Sequence, residues 1–131
     1  MSNDTAKLRS PLSKARGLGS AKYGTEHWWQ QRLTAIALVP LTLWFVIGVI
    51  GHLGADHAAM VAWMKSPFSA TMMVLFVAVG IYHAAEGMQV VIEDYVHVEW
   101  QKLAGIIVMK LVLYGLATAS IISVLKLTFG A

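Results

Sequence analysis

Apolar and polar positions in this chain fall into long blocks rather than a short alternation. Between Arg32 and Asp56 run 23 residues without formal charge, Leu33 to Ala55. That is about the length at which a helix crosses the hydrocarbon core of a bilayer. A second block of 20 lies between Lys65 and Glu86, and its apolar pattern runs on through Val90, Val91 and Ile92. A third extends from about Lys102 to Phe129, interrupted only by Lys110 and Lys126. The blocks predict three transmembrane helices, at about 32–53, 67–93 and 102–128, in an all-α membrane protein. Trp28 and Trp29 precede the first helix, where indole rings favour the headgroup level. Pro40 is tolerated inside a span, with a local kink, and Pro67 suits the first turn of the second helix.

Charge adds an orientation. Residues 1–25 are polar, rich in Gly and Ser, and basic, and read as a flexible cytoplasmic arm rather than a signal peptide. The arm could dock a soluble partner or merely aid solubility. With Arg32, this region holds six of the ten Lys and Arg. Basic residues beside a span mark the cytoplasmic side and anionic headgroups, not nucleic acid. The N-terminus is therefore expected inside and the C-terminus outside. The 86–102 connection, with Glu86, Glu93, Asp94 and Glu99, then falls on the inner side.

Composition agrees with a membrane location. The chain is 57% hydrophobic and 13% charged, against about 25% charged for a soluble domain. With no cysteine, it carries no disulfide, thiolate chemistry or iron–sulfur cluster of its own. No Gly-rich phosphate loop follows a strand, which argues against a nucleotide site.

His83 is the most informative single residue, because it lies within an apolar helix. An intramembrane ionisable side chain marks a functional site by default. Its possible uses are a haem or metal ligand, a proton relay, or a structural bond to a neighbouring helix. Gly80 and Gly87, at i−3 and i+4, flank it on one helical face and are expected to leave a flat recess of the kind a porphyrin needs. Counting 1.5 Å per residue, His83 lies about 24 Å from the outer end of its helix. His52 and His57 belong to that outer end, while His27 and His97 lie roughly 15–20 Å away toward the inner boundary. No second histidine of the chain reaches the opposite face of the same iron. If His83 binds a six-coordinate haem, another polypeptide must supply the other ligand.

Two further pairs stand out. Asp94 follows His83 by eleven residues, which returns it to within about 20° of the same face, roughly 16 Å further inward. With Tyr95 it offers hydrogen bonds at an apolar–polar boundary, suited to a quinone headgroup or to an ordinary solvated helix end. Glu86 and Lys110 lie at matching depths, near 10 and 12 Å from the inner boundary, and are expected to form an intramembrane ion pair. The alternatives are a snorkelling Lys110, or a protonated Glu86 that relays protons.

The run His83-Ala-Ala-Glu-Gly87-Met-Gln89-Val-Val-Ile-Glu-Asp94-Tyr95, with the earlier His27-Trp-Trp-Gln-Gln-Arg32-Leu-Thr34-Ala35, resembles the membrane-anchor subunits of succinate dehydrogenase. The likeness in hydrophobic layout covers about residue 20 to the C-terminus. It implies three transmembrane helices forming half of a two-subunit haem-binding helical bundle in the bacterial inner membrane, with the C-terminus periplasmic. Expected partners are a second membrane anchor of the cytochrome b type, an iron–sulfur subunit and a flavoprotein subunit, together with membrane lipids. The resemblance assigns His83 as one axial ligand of haem b, with Arg32 and His27 near a haem propionate. It places Tyr95 and Asp94 at a ubiquinone site. Glu86 and Lys110 are not among that family's hallmarks. The chain would not itself oxidise succinate. A fumarate reductase anchor, working in the opposite direction, shares the architecture. A cofactor-free transporter or assembly protein would instead show polar residues in several helices or an internal repeat, and helix one has only Thr34 and Thr42 before His52.

Overall fold

A computed structural model describes residues 24–130 of the chain. The basic arm expected over 1–25 lies outside the described residues, except for its last two, which already belong to the first helix. The elements are α1 (Gly24–Gly51), α2 (His57–Lys65), α3 (Pro67–Tyr95) and α4 (Glu99–Phe129). Three of them, α1, α3 and α4, are long and apolar enough to cross a membrane. At 28, 29 and 31 residues they are roughly 42–46 Å long, so their ends emerge from a hydrocarbon core of about 30 Å. The chain is a multi-pass, all-α membrane protein.

Local sequence accounts for the boundaries. Helix α1 starts well before the expected position near 32. The stretch Thr25–Gln31 contains no breaker, and its polar side chains bond within the bundle, as described below. Pro40 sits inside α1 without interrupting it. The nine-residue α2, which the hydrophobic blocks did not predict, is nucleated by Asp56. Its carboxylate accepts from the Ala59 N–H at 2.8 Å, satisfying one of the free donors of a first turn. Ser66 then closes α2 and caps α3, its Oγ accepting from the Ser69 N–H at 3.1 Å, with Pro67 in the first turn.

Helix α3 runs on to Tyr95, and α4 begins at Glu99. The acidic connection expected over 86–102 is therefore only residues 96–98. Glu86 is not part of it, being a buried residue within α3. A continuous helix satisfies its own backbone where a membrane-embedded loop could not.

Helix α3 occupies the middle. It packs against α1 on one side and α4 on the other, while α1 and α4 do not approach each other. Helix α2 lies across α3 and α4 at the far end of the bundle, where α1 and α4 finish. Its Trp63 reaches α1, stacking on His52 with centroids 4.8 Å apart and lying against Trp44. His52 Nδ1 is 2.8 Å from the Gly48 carbonyl, to which it donates. Phe45 and Phe76 stack at 4.9 Å between α1 and α3. The buried residues are few and mostly small: Leu41, Ser69, Ala70, Ala85 and Glu86. Small side chains at contacts and large apolar ones outside are the arrangement expected when lipid or another chain is the solvent.

The Trp63 ring fills the space a Cβ at Gly48 would need. Gly48→Ala should therefore lower stability by about 1–3 kcal/mol through overpacking. Gly115, whose added Cβ would meet nothing, provides the control. Thermal unfolding in detergent, followed by circular dichroism, should show a lower midpoint for Gly48→Ala than for Gly115→Ala. Equal midpoints would contradict the packing of α2 on α1.

Candidate functional site

The polar residues of the first turns of α1 form a stripe. His27, Gln30, Gln31 and Thr34 recur at i, i+3, i+4 and i+7, one face of a helix. That face meets α3 at Tyr82, His83, Glu86 and Gly87. The Tyr82 hydroxyl donates to Gln30 Oε1 at 2.7 Å. His27 Nδ1 lies 2.7 Å from Glu86 Oε2. From the other side, Lys110 Nζ on α4 lies 3.3 Å from Glu86 Oε1. One carboxylate, 8% exposed, thus holds a group from each flanking helix.

His83 bonds to Thr34, with Nδ1 and Oγ1 2.9 Å apart. The Thr34 hydroxyl has one proton and two carbonyl acceptors behind it, Gln30 at 2.8 Å and Gln31 at 3.1 Å. With that proton on a carbonyl, Oγ1 accepts and Nδ1 of His83 carries the N–H. Nε2 is then left with its lone pair, the form in which a histidine ligates a metal.

His83 lines an open groove of about 390 Å³ together with Trp28, Gln31, Arg32, Ala35 and Ile36. The Arg32 guanidinium lies over the Trp28 ring, 4.7 Å from its centroid, a cation–π contact. The structure thus brings His83 and Arg32 to one site.

Other expected site residues fall elsewhere. His27 is engaged with Glu86, and its Nε2 is buried without a partner, as is Gln31 Oε1. Tyr95 and Asp94 are exposed at the end of α3, Tyr95 by 78%, so any pocket around them needs walls from another source. Gly80 and Gly87, expected to leave a flat recess, both face α1. A Cβ at Gly80 would touch Leu38, and one at Gly87 would sit 3.2 Å from Gln31 Nε2. The missing side chain of Gly87 lets α1 and α3 close, while a Cβ at Gly80 would make only ordinary contact.

The sequence match now has a structural setting. Residues 6–117 match the family described as succinate dehydrogenase/fumarate reductase transmembrane subunit. The chain belongs to this family. Among similar proteins, the succinate dehydrogenase hydrophobic membrane anchor subunit of Rickettsia bellii (strain RML369-C) is 35% identical over 87% of this chain and 90% of its own length. The subunit of the same name from Paracoccus denitrificans is 40% identical over 66% of this chain and 67% of its own. The succinate dehydrogenase membrane anchor subunit of Reclinomonas americana is 33% identical over 70% and 78%. No solved structure gives a match. The three spans of this family member agree with a membrane subunit.

Reasoning from sequence missed Thr34, Gln30, Gln31 and Tyr82 as site residues. The signal that could have found them is the polar stripe on an otherwise apolar helix.

The carboxylate shared by three helices can be probed directly. Breaking a buried pair by removing one partner costs about 3–5 kcal/mol, because the other charge is left uncompensated. Glu86→Gln and Lys110→Met should each lower the amount of folded protein in the membrane. The double variant should recover part of the loss, giving a coupling of about 1–3 kcal/mol. Strictly additive effects would mean that the two groups do not stabilise one another.

Proposed function

We propose that this chain is the membrane anchor of a succinate:quinone oxidoreductase, in which His83 is one axial ligand of haem b. The observation that carries the reading is the pairing of His83 with Thr34 on one side and Arg32 on the other. Thr34 holds the imidazole in the tautomer that leaves Nε2 free, and the same groove presents a guanidinium suited to a propionate. Among the described residues, no three His, Cys, Asp or Glu side chains gather as a metal site. A haem requires only one ligand from this chain when a second anchor subunit provides the other.

The remaining residues fit the same reading. His27, held through Nδ1 by Glu86, stands as a second group near a propionate. Haem, when bound, supplies a one-electron carrier. The chain's own contribution is to orient an imidazole, place a cation beside it and exclude water with Ala35, Ile36 and Trp28.

Tyr95 and Asp94 contribute to the ubiquinone-reduction site at the end of α3, the phenol donating to a quinone oxygen and the carboxylate organising the donors around it. Walls from the second anchor and the iron–sulfur subunit complete that pocket. The flavoprotein subunit, which oxidises succinate, stands with the iron–sulfur subunit on the cytoplasmic face of the bacterial inner membrane. The N-terminus lies on that side and the C-terminus in the periplasm.

Absorption spectra of the complex, extracted with its partners, test the haem assignment. The reduced wild-type complex should show a b-type Soret band, and His83→Ala should lose it while the soluble subunits still co-purify. A wild-type complex with no haem would refute the proposal. Thr34 gives a finer test, since substitutions behind a metal-bound histidine cost about 10–100-fold in metal affinity. Thr34→Val should weaken haem retention and shift the haem midpoint potential, and Thr34→Ser, which keeps the hydroxyl, should restore both. Equal behaviour of the two variants would remove the hydroxyl from the account.

A further inference from the structure

The far end of the bundle carries a second site with different chemistry. Between α2 and the last turns of α4 runs a groove of about 420 Å³, lined by His57, Val61, Lys65, Ser123, Lys126 and Leu127. The other described cations each have a partner. Arg32 lies on Trp28, Lys102 is 3.6 Å from Glu99, and Lys110 is 3.3 Å from Glu86. Lys65 and Lys126 have no carboxylate within salt-bridge distance among the described residues. The nearest acid in sequence, Asp56, is engaged as the N-cap of α2.

Each lysine taken singly has an ordinary explanation, since both stand in the last turn of a helix, where a cation complements the helix dipole. The dipole does not explain why they converge on one groove from two helices. Two lysines lining one groove bring like charges to the same space, which an anion bound there would offset. The Ser123 hydroxyl donates to the Ala119 carbonyl at 2.8 Å, and the Gly130 N–H donates to the Lys126 carbonyl at 2.7 Å. The donors left for a ligand are therefore the two lysines and His57. Beneath them lie Val61 and Leu127, and lysine stems add further apolar surface. A free inorganic anion would make no use of that floor.

We propose that this groove binds an anionic phospholipid, with its phosphodiester between Lys65 and Lys126 and the start of an acyl chain along Val61 and Leu127. The position suits it, because the ends of spans longer than the hydrocarbon core stand at headgroup level. A groove with two lysines and an apolar floor at the ends of membrane helices matches such a lipid in both charge and surface.

The test uses the protein extracted with its native partners, delipidated in detergent and titrated with phosphatidylglycerol or phosphatidylcholine, with bound lipid counted by native mass spectrometry. Each lysine near an anionic headgroup is worth about fivefold in preference. The Lys65→Gln/Lys126→Gln double variant should therefore lose on the order of 25-fold in phosphatidylglycerol retention, and Lys65→Arg/Lys126→Arg should keep it. Equal retention of the two lipids by the wild type, or of phosphatidylglycerol by wild type and glutamine variant, would overturn the proposal. Displacement of the lipid by millimolar inorganic phosphate would overturn it too, and assign the groove to a soluble anion. Should the glutamine variant not assemble, phosphatidylglycerol carrying a diazirine on its acyl chain decides on the wild type. Labelling of the 57–65 or 123–130 segment supports the site. Labelling only elsewhere, or a partner polypeptide found in the groove, refutes it.

Discussion

The bundle depends on one buried carboxylate. Helices α1 and α4 do not pair with each other; apart from α2 at the far end, what ties them together passes through α3, and Glu86 is a residue of α3 that engages both. Its two oxygens take His27 from one side and Lys110 from the other. An acidic side chain at this depth would be costly alone, and each neighbour reduces that cost while gaining a fixed position. Hydrophobic burial cannot play this part in a membrane, because lipid tails are as apolar as the helices they would leave.

With α1 locked to α3 at this level, the rest of the site follows by helical geometry. One turn along α1, Gln30 receives the Tyr82 hydroxyl, and the next turn brings Thr34 to His83. A shift of α1 by a single residue would separate all three contacts together. Gly87 serves the same closure by admitting Gln31. The ring of His83 is thereby held from behind, and its other nitrogen is left toward the groove that Arg32 and Trp28 border. Polar contacts near the start of α1 therefore fix the ring of a histidine in the middle of α3.

The two ends of the bundle differ in chemistry. The end where α1 begins places polar groups inside, in bonds between helices, beside the exposed Asp94 and Tyr95. The far end places aromatic rings inside, with Trp63 against His52 and Trp44, and leaves its two lysines outside. Between these ends the helices expose leucine, isoleucine and valine almost continuously, including Leu33, Ile36, Val39, Leu43, Ile47 and Ile50 on α1. Those faces belong to lipid or to a companion subunit, and the small buried interior does not stand in for either.

Much of this was legible in the residues themselves. Lengths of uncharged sequence mark the spans, because the bilayer thickness sets how many apolar residues a helix needs. The same rise per residue puts Glu86 and Lys110 at a common depth and keeps His52, His57 and His97 away from His83. His27, expected roughly 15–20 Å off, instead meets Glu86 one turn from His83, because α1 begins earlier than its apolar block. Phase and depth within one helix are properties of sequence. The rotation of one helix against another is not, and that is where the expectations diverged. Whether Gly80 and Gly87 face a recess or a neighbour, whether His27 meets Glu86, and whether Thr34 sits behind His83 all depend on how α1 turns against α3. The short helix α2 was hidden for a related reason, since nine residues are too few for periodicity to declare. Its placement, which draws Lys65 toward Lys126, is set by the fit of Trp63 over Gly48. The sequence by itself determined a three-span membrane protein with a titratable histidine inside an apolar helix. Only the tertiary structure decided which side chains surround that histidine, because packing selects one rotation among several that the chain alone would permit.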